Sequence, residues 1–128
     1  MPALYLDSSA LVKLVREERE THELLASLAL WSEPLTSVVG EVEVRRVAAR
    51  SGASADDVLA ALSLVELDEA VRRLAGRVGS APLRSLDAIH LASALSLGDD
   101  LGSFCCYDRR LIADAEAAGL TVLSPGLD

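Results

Sequence analysis

The run Leu4-Tyr5-Leu6-Asp7-Ser8-Ser9-Ala10-Leu11-Val12-Lys13-Leu14 restricts the fold more than any other stretch. Ala3–Leu6 reads as a short buried strand. An acid stands where the strand ends, two serines follow, and an apolar helical pattern begins at once. A strand that feeds straight into a helix is half of a βαβ unit, and such units build parallel sheets covered on both faces. In open sheets of that kind, ligands bind outside the carboxyl ends of the strands. Asp7 is expected at that edge, with Ser8 or Ser9 placed to cap the helix or to hold the carboxylate. Alone, Asp7 reads as a turn or cap acid. Recurrence adds weight: Asp87 and Asp108 stand at helix starts or strand ends, and Glu43 lies inside a helix between them.

The alternation continues along the chain. Helical patterns cover Ser8 to Val15 and Glu18 to Trp31, then a strand covers Pro34 to Ser37 and a helix Val38 to Arg50. Ser54 opens the next helix, with Asp57 three residues on in a capping pattern. A strand from Leu64 to Leu67 leads to a helix capped by Asp68 and ending near Arg77. The loop Leu83-Arg84-Ser85-Leu86 leads into a helix from Asp87 to Leu97. Strand Phe104–Tyr107, helix Asp108–Ala118 and strand Leu120–Leu123 complete the pattern, which predicts a single α/β domain over residues 1–128 with a central parallel sheet. Half of the residues are apolar, 51%, enough for a substantial core at this length. No apolar run is long enough to span a bilayer, and Met1-Pro2-Ala3 carries no basic leader ahead of an apolar segment. Cys105 and Cys106 are adjacent, where an ordinary disulfide would be strained, so both are expected to be reduced and buried. These features predict a cytoplasmic protein with no membrane partner.

The formal charge of −8 argues against a nucleic-acid partner, because phosphate binding draws on Lys and Arg. A bound Mg²⁺ or Mn²⁺ would cancel part of the acidic set. Local basic patches stand at Arg45/Arg46/Arg50, Arg72/Arg73/Arg77 and Arg109/Arg110, although each also reads as a solvated helix face.

The acids differ in what surrounds them. Asp87 opens a helix that is apolar nearly all round and therefore buried. A carboxylate there gains from the helix dipole but is costly to desolvate unless a cation meets it. His90, one turn on, is expected to be a hydrogen-bonded helix histidine, since a hard ion prefers oxygen ligands. Glu41 has Ser37 and Arg45 as its i±4 neighbours and suits an exposed ion pair. Glu43 has Val39 and Val47 instead, lies on a more apolar stripe, and is chosen for the site. Arg46, three residues after Glu43, is positioned to pair with it or to reach a phosphate. Asp108 repeats the strand–acid–helix geometry of Asp7. Arg109 and Arg110 are odd at a helix start, where cations are disfavoured; a nearby anion would account for them. Four carboxylates from four segments, converging on one sheet edge, suit Mg²⁺ and metal-assisted hydrolysis of a phosphodiester.

These motifs resemble those of a known family. Leu6-Asp7-Ser8-Ser9-Ala10-Leu11-Val12-Lys13-Leu14 resembles the opening of PIN-domain ribonucleases, and Thr36-Ser37 with Glu43 and Arg46 resembles their second motif. Ser85-Leu86-Asp87-Ala88-Ile89-His90-Leu91-Ala92 is very similar to a segment of the VapC toxins. Tyr107-Asp108-Arg109-Arg110-Leu111 with Ala117-Ala118-Gly119-Leu120 resembles their closing motif. The likeness runs in order over essentially the whole chain. It implies a three-layer α/β/α PIN fold and a Mg²⁺- or Mn²⁺-dependent endoribonuclease, the toxin of a type II toxin–antitoxin pair. It implies Asp7, Glu43, Asp87 and Asp108 as the acidic metal site, with Ser9 supporting Asp7. It also implies a homodimer and a VapB-like antitoxin that lays a segment across the site, often with an arginine among the acids. One departure stands out: a Thr or Ser commonly precedes the last Asp by two residues, and here it is Cys106, a poor substitute for a hydroxyl.

Three rival readings have specific requirements. A receiver-type signalling domain needs an acid pair after the first strand and a late lysine, but Lys13 is the sole lysine. A phosphatase of the haloacid dehalogenase type wants a second Asp where Ser9 stands. A PIN fold serving only as a catalytically inactive binding partner would not need all four acids.

Overall fold

Leu4 and Leu6 point to one side of strand β1 (Ala3–Leu6), and Ala3 and Tyr5 to the other. This two-residue alternation sorts the helices into two layers in this computed structural model, which describes residues 2–127. The two end residues of the expected 1–128 domain lie outside the described residues. β1 is the central strand of a five-stranded sheet in the order β3-β2-β1-β4-β5. The other strands are β2 (Pro34–Ser37), β3 (Ser63–Val65), β4 (Leu101–Cys105) and β5 (Val122–Leu123). Every pairing is parallel, with Leu4 beside Pro34 and Leu6 beside Cys105.

On one face lie α1 (Ser8–Val15), α2 (Thr21–Leu28), α3 (Val38–Arg50) and α4 (Asp56–Ala60). They bury Leu11, Leu24, Val44 and Leu59 against Leu4, Leu6 and Cys105. On the other face, α6 (Ser85–Leu95) and α7 (Arg109–Ala117) bury Leu91, Ala94, Leu111 and Ala115 against Tyr5, Phe104 and Cys106, while α5 (Glu69–Ala75) packs on α6. The result is the expected three-layer α/β/α fold around a parallel sheet. Each fully buried leucine contributes about 1.5–3 kcal/mol relative to exposure. Both cysteines are free and buried, as expected, and no helix among the described residues is long and apolar enough to cross a membrane.

Several boundaries differ from the expected ones for local reasons. α2 begins at Thr21 instead of Glu18. Thr21 Oγ1 accepts the Glu18 N–H at 2.9 Å and donates to the Lys13 carbonyl at 2.8 Å, and Lys13 Nζ pairs with Glu18 at 3.1 Å and Glu20 at 2.7 Å. These bonds hold residues 18–20 as a turn. α4 starts after Ala55, and Ser54 accepts only from the Asp56 N–H, at 3.1 Å, so the expected capping pattern with Asp57 is not formed. β4 begins at Leu101, three residues early, where it pairs with Ala3 of β1; Trp31 and Pro2 lie against Gly102, where a Cβ would meet the Trp31 ring at 2.6 Å. α6 starts two residues early, so Asp87 is its third residue and not its first.

From β1 the sheet runs through β2 and β3 on one side and through β4 and β5 on the other. The strand order therefore reverses between β1 and β4, and a crevice opens at their carboxyl ends.

Candidate active site

Asp7 lies at that crevice and is 2% exposed. It is the N-cap of α1, accepting the Ala10 N–H at 3.0 Å. Ser9 Oγ donates to Asp7 Oδ1 at 2.6 Å and accepts the Tyr107 N–H at 2.9 Å, so it ties the start of α1 to the chain leaving β4. The Cys106 thiol reaches Asp7 Oδ2 at 3.0 Å. β1 and β4 are sheet neighbours, with the Asp7 N–H donating to the Cys105 carbonyl at 3.2 Å, and that pairing brings the two side chains together. Burial pushes the Asp7 carboxyl above its ordinary value. The nearby His90 ring and the hydrogen bonds from Cys106, Ser9 and Ala10 offset this only in part.

Glu43 enters from α3 and is held from α6. His90 is fully buried, with Nε2 2.6 Å from Glu43 Oε1 and Nδ1 2.8 Å from the Tyr5 hydroxyl. Burial drives the Tyr5 hydroxyl far above its usual value, so it keeps its proton. A carboxylate only accepts, so Nε2 donates to Glu43, and in the neutral ring Nδ1 is then left to accept from the Tyr5 hydroxyl. α3 approaches this closely because Gly40 has no side chain: a Cβ there would strike Thr36 Oγ1 and come within 3.3 Å of the His90 ring. Thr36 Oγ1 is itself committed to the Leu6 carbonyl at 2.7 Å.

Asp87, in the first turn of α6, and Asp108, the N-cap of α7, complete the group. Asp108 accepts from the Arg110 and Leu111 N–H groups at 2.9 and 3.2 Å. Arg84 spans the two acids, with Nε 3.4 Å from Asp87 and Nη2 3.7 Å from Asp108. Asp7, Glu43, Asp87 and Asp108 thus lie at one end of the sheet and line one cavity of about 350 Å³, together with Ser8, Ser9 and Arg84.

Among the described residues, no three His, Cys, Asp or Glu side chains close to the spacing of a ready-made ligand shell. The four carboxylates that line the cavity offer oxygen donors, the donor type that a hard divalent ion takes. The guanidinium resting on Asp87 and Asp108 is a cation already drawn to the cluster.

Comparison with known proteins gives the family. The PIN domain family model matches residues 4–123. The chain belongs to the PIN-domain family. Ribonuclease VapC47 of Mycobacterium tuberculosis is 41% identical, covering 96% of this chain and 97% of that protein. Ribonuclease VapC46 of the same species is 42% identical, covering 98% and 99%. These identities place this PIN domain in the VapC branch. The fold is also that of the FitAB complex bound to a DNA fragment (TM-score 0.75, 15% identity, 98% of this chain and 96% of that one) and of a toxin–antitoxin complex from Klebsiella pneumoniae (0.69, 20%, 96% and 97%).

Glu41, Arg46, Arg109 and Arg110 of this PIN domain lie outside the acid cavity. Glu41 pairs with Arg45 on the surface, as its spacing predicts. Arg46 is exposed and absent from the cavity lining; the partner of Glu43 is His90 and not Arg46. Arg109 and Arg110 are exposed beyond the Asp108 cap and do not line the acid cavity. Asp108 does not follow the strand directly, because β4 ends at Cys105 and two residues intervene. Although a thiol is a poor substitute for a hydroxyl, Cys106 contacts Asp7 Oδ2. Tyr5 and Arg84 carried no signal in the sequence. A strand tyrosine reads as core, and an arginine before a helix reads as loop.

Proposed function

We propose that this protein is a Mg²⁺-dependent endoribonuclease, with Mn²⁺ as an alternative ion, and the toxin of a type II toxin–antitoxin pair. The observation that carries the reading is the convergence of Asp7, Glu43, Asp87 and Asp108 from four separate segments on one cavity. The relatives named ribonucleases, and the fold shared with a toxin–antitoxin complex, support it. Asp7, Asp87, Asp108 and Glu43 would hold the ion, which supplies an activated water and offsets charge on the leaving oxygen. The chain's own residues do the rest. Ser9 and Cys106 hold the Asp7 carboxylate still. His90, oriented by Tyr5, aims the Glu43 carboxylate into the cavity. Arg84 sets cationic charge at its rim, with Arg109 and Arg110 nearby to meet phosphate.

Neutralisation is by a VapB-like antitoxin. A guanidinium already sits on Asp87 and Asp108 here, so the cluster accepts the planar fork that an antitoxin arginine would present. The apolar groove formed by Leu14, Leu25, Leu28, Val58 and Leu62 would take its apolar face. A homodimer belongs to the same reading.

The test is RNA cleavage by the purified chain with Mg²⁺, with Mn²⁺ and with chelator. Cleavage that requires the ion, and that ends on co-expression with a VapB-like antitoxin, is expected. A protein that binds such a partner but never cuts RNA would favour the inactive binding-partner reading.

A further inference from the structure

A second cavity, of about 620 Å³, adjoins the acid cavity and shares Arg84 and Asp87 with it. Its lining also includes Arg110 and the apolar Pro82, Leu83 and Ala113. The remaining acid on its lining, Asp114, is occupied: its two oxygens accept the Ser80 N–H at 2.7 Å and the Ser80 hydroxyl at 3.0 Å, which pins the turn that leads to Arg84. Two arginines and three apolar side chains thus line one cavity beside the acids, together with Asp87 and Asp114, on a chain whose net charge is −8. The Arg84 side chain is 72% exposed, and its contacts with Asp87 and Asp108, at 3.4 and 3.7 Å, are ion pairs of the weak, exposed kind.

We propose that this second cavity is the subsite for the nucleotide adjoining the scissile phosphate. Arg84 and Arg110 grip its phosphate from two sides. Pro82, Leu83 and Ala113 lie beneath sugar and base, in contact that is indifferent to base identity. Arginine suits the task because its planar fork meets two phosphate oxygens at once. The subsite also explains the cation at the start of α7: Arg110 is unfavourable for the helix dipole but faces a ligand anion. The inference rests on the ribonuclease reading for its substrate, and it adds the direction in which the strand leaves the acids.

The experiment uses the full chain and its Arg110→Ala, Arg84→Ala and doubly substituted variants. All three changes are on the surface, and circular dichroism checks the fold. Binding of a fluorescent, mixed-sequence single-stranded RNA is measured by anisotropy against salt concentration, alongside cleavage in Mg²⁺. Each lost phosphate contact lowers the slope of log K against log salt by about 0.7. Arg110→Ala is expected to lower it by that amount and the double variant by about twice as much. KM is expected to rise several-fold in Arg110→Ala while kcat holds, because Arg110 does not reach the acid cavity. Unchanged slope and KM in the double variant, with cleavage intact, overturn the subsite and leave the ribonuclease reading standing. RNA binding with the reduced slopes but no cleavage by the unsubstituted chain overturns the ribonuclease reading and, with it, the assignment to a scissile phosphate. No RNA binding by the unsubstituted chain overturns both.

Discussion

His90 Nε2 and Glu43 Oε1 lie 2.6 Å apart and join α6 to α3 at the carboxyl end of the sheet. His90 is fully enclosed, whereas the Glu43 side chain keeps 24% of its surface exposed, toward the cavity. The histidine is therefore a fixed post and the carboxylate the working end. Tyr5 completes the chain from β1, its ring stacked on Phe104 with centroids 5.5 Å apart.

Tyr5→Phe keeps that stack and removes only the hydroxyl. It leaves His90 Nδ1 without its donor, and an unsatisfied buried group costs about 1–3 kcal/mol. The urea midpoint should fall accordingly. RNA cleavage should fall about tenfold as the Glu43 carboxylate loses its fixed aim. Unchanged cleavage with reduced stability would show that His90 is a packing residue alone.

Asp7→Asn should abolish cleavage and leave the metal-free fold as stable or more so. The sign follows from burial, which raises the Asp7 pKa above 3.8 in the folded state. Ionised Asp7 thus opposes folding; the cost grows as pH rises from 3.8 through the folded pKa, and is complete above it. The variant's gain in thermal midpoint should be present at neutral pH and vanish below pH 3.8. Retention of near-native cleavage in Mg²⁺ would remove Asp7 from the site.

Cys106→Ser keeps a donor beside Asp7 Oδ2 and should cleave RNA at close to the original rate. Cys106→Ala removes it, leaving a buried carboxylate oxygen short of a partner, and should cost about 1–3 kcal/mol in stability together with activity. Paired denaturation curves and initial rates separate the two. Equal behaviour of the two variants would mean that the thiol contact contributes nothing.

Gly40→Ala should be harmful out of proportion to one methyl group. Its Cβ strikes Thr36 Oγ1, which is bound to the Leu6 carbonyl, and crowds Leu11 and His90 at 3.2 and 3.3 Å. Overpacking of this kind costs about 1–3 kcal/mol, and pushing α3 outward moves Glu43. Val42→Ala, two residues on and exposed, is the control and should stay within about 0.5 kcal/mol of the parent protein.

Lys13 ties α1 to the turn before α2 through Glu18 and Glu20, with its ammonium 4.5 Å from the Tyr107 ring centre. Burial alone would lower its pKa, but the bonds from Glu20 and Glu18 outweigh burial and raise it; for Glu18, burial is likewise outweighed by Lys13 and Arg16, and its pKa falls. The Lys13 contribution is complete below pH 10.5 and is lost as pH climbs through the raised folded value. The Glu18 contribution is present above pH 4.5 and is lost as pH falls through its depressed value. Lys13→Met should therefore lower the thermal midpoint most between these limits and progressively less in acid. A loss that is the same at every pH would assign Lys13 to packing.

The sequence by itself determined the elements whose signals are local. β1, α1, β2 and α3 have the bounds that it predicts, because an apolar run, an acid or serine cap and a helical period sit side by side in the chain. The same local logic places Asp7 and Asp108 as helix caps. The tertiary structure alone decided the partners. Asp7 meets Cys106 across ninety-nine positions because β1 lies beside β4, and strand order is a long-range choice that no short window encodes. Glu43 meets His90 only because α3 and α6, from opposite layers, converge where Gly40 lets them. Arg84 reaches Asp87 and Asp108 only because α6 begins two residues earlier than its apolar pattern indicates, which sets the arginine at the rim. Caps and periods are written in neighbouring residues; the polar partners of the acids depend on packing between segments far apart in the chain.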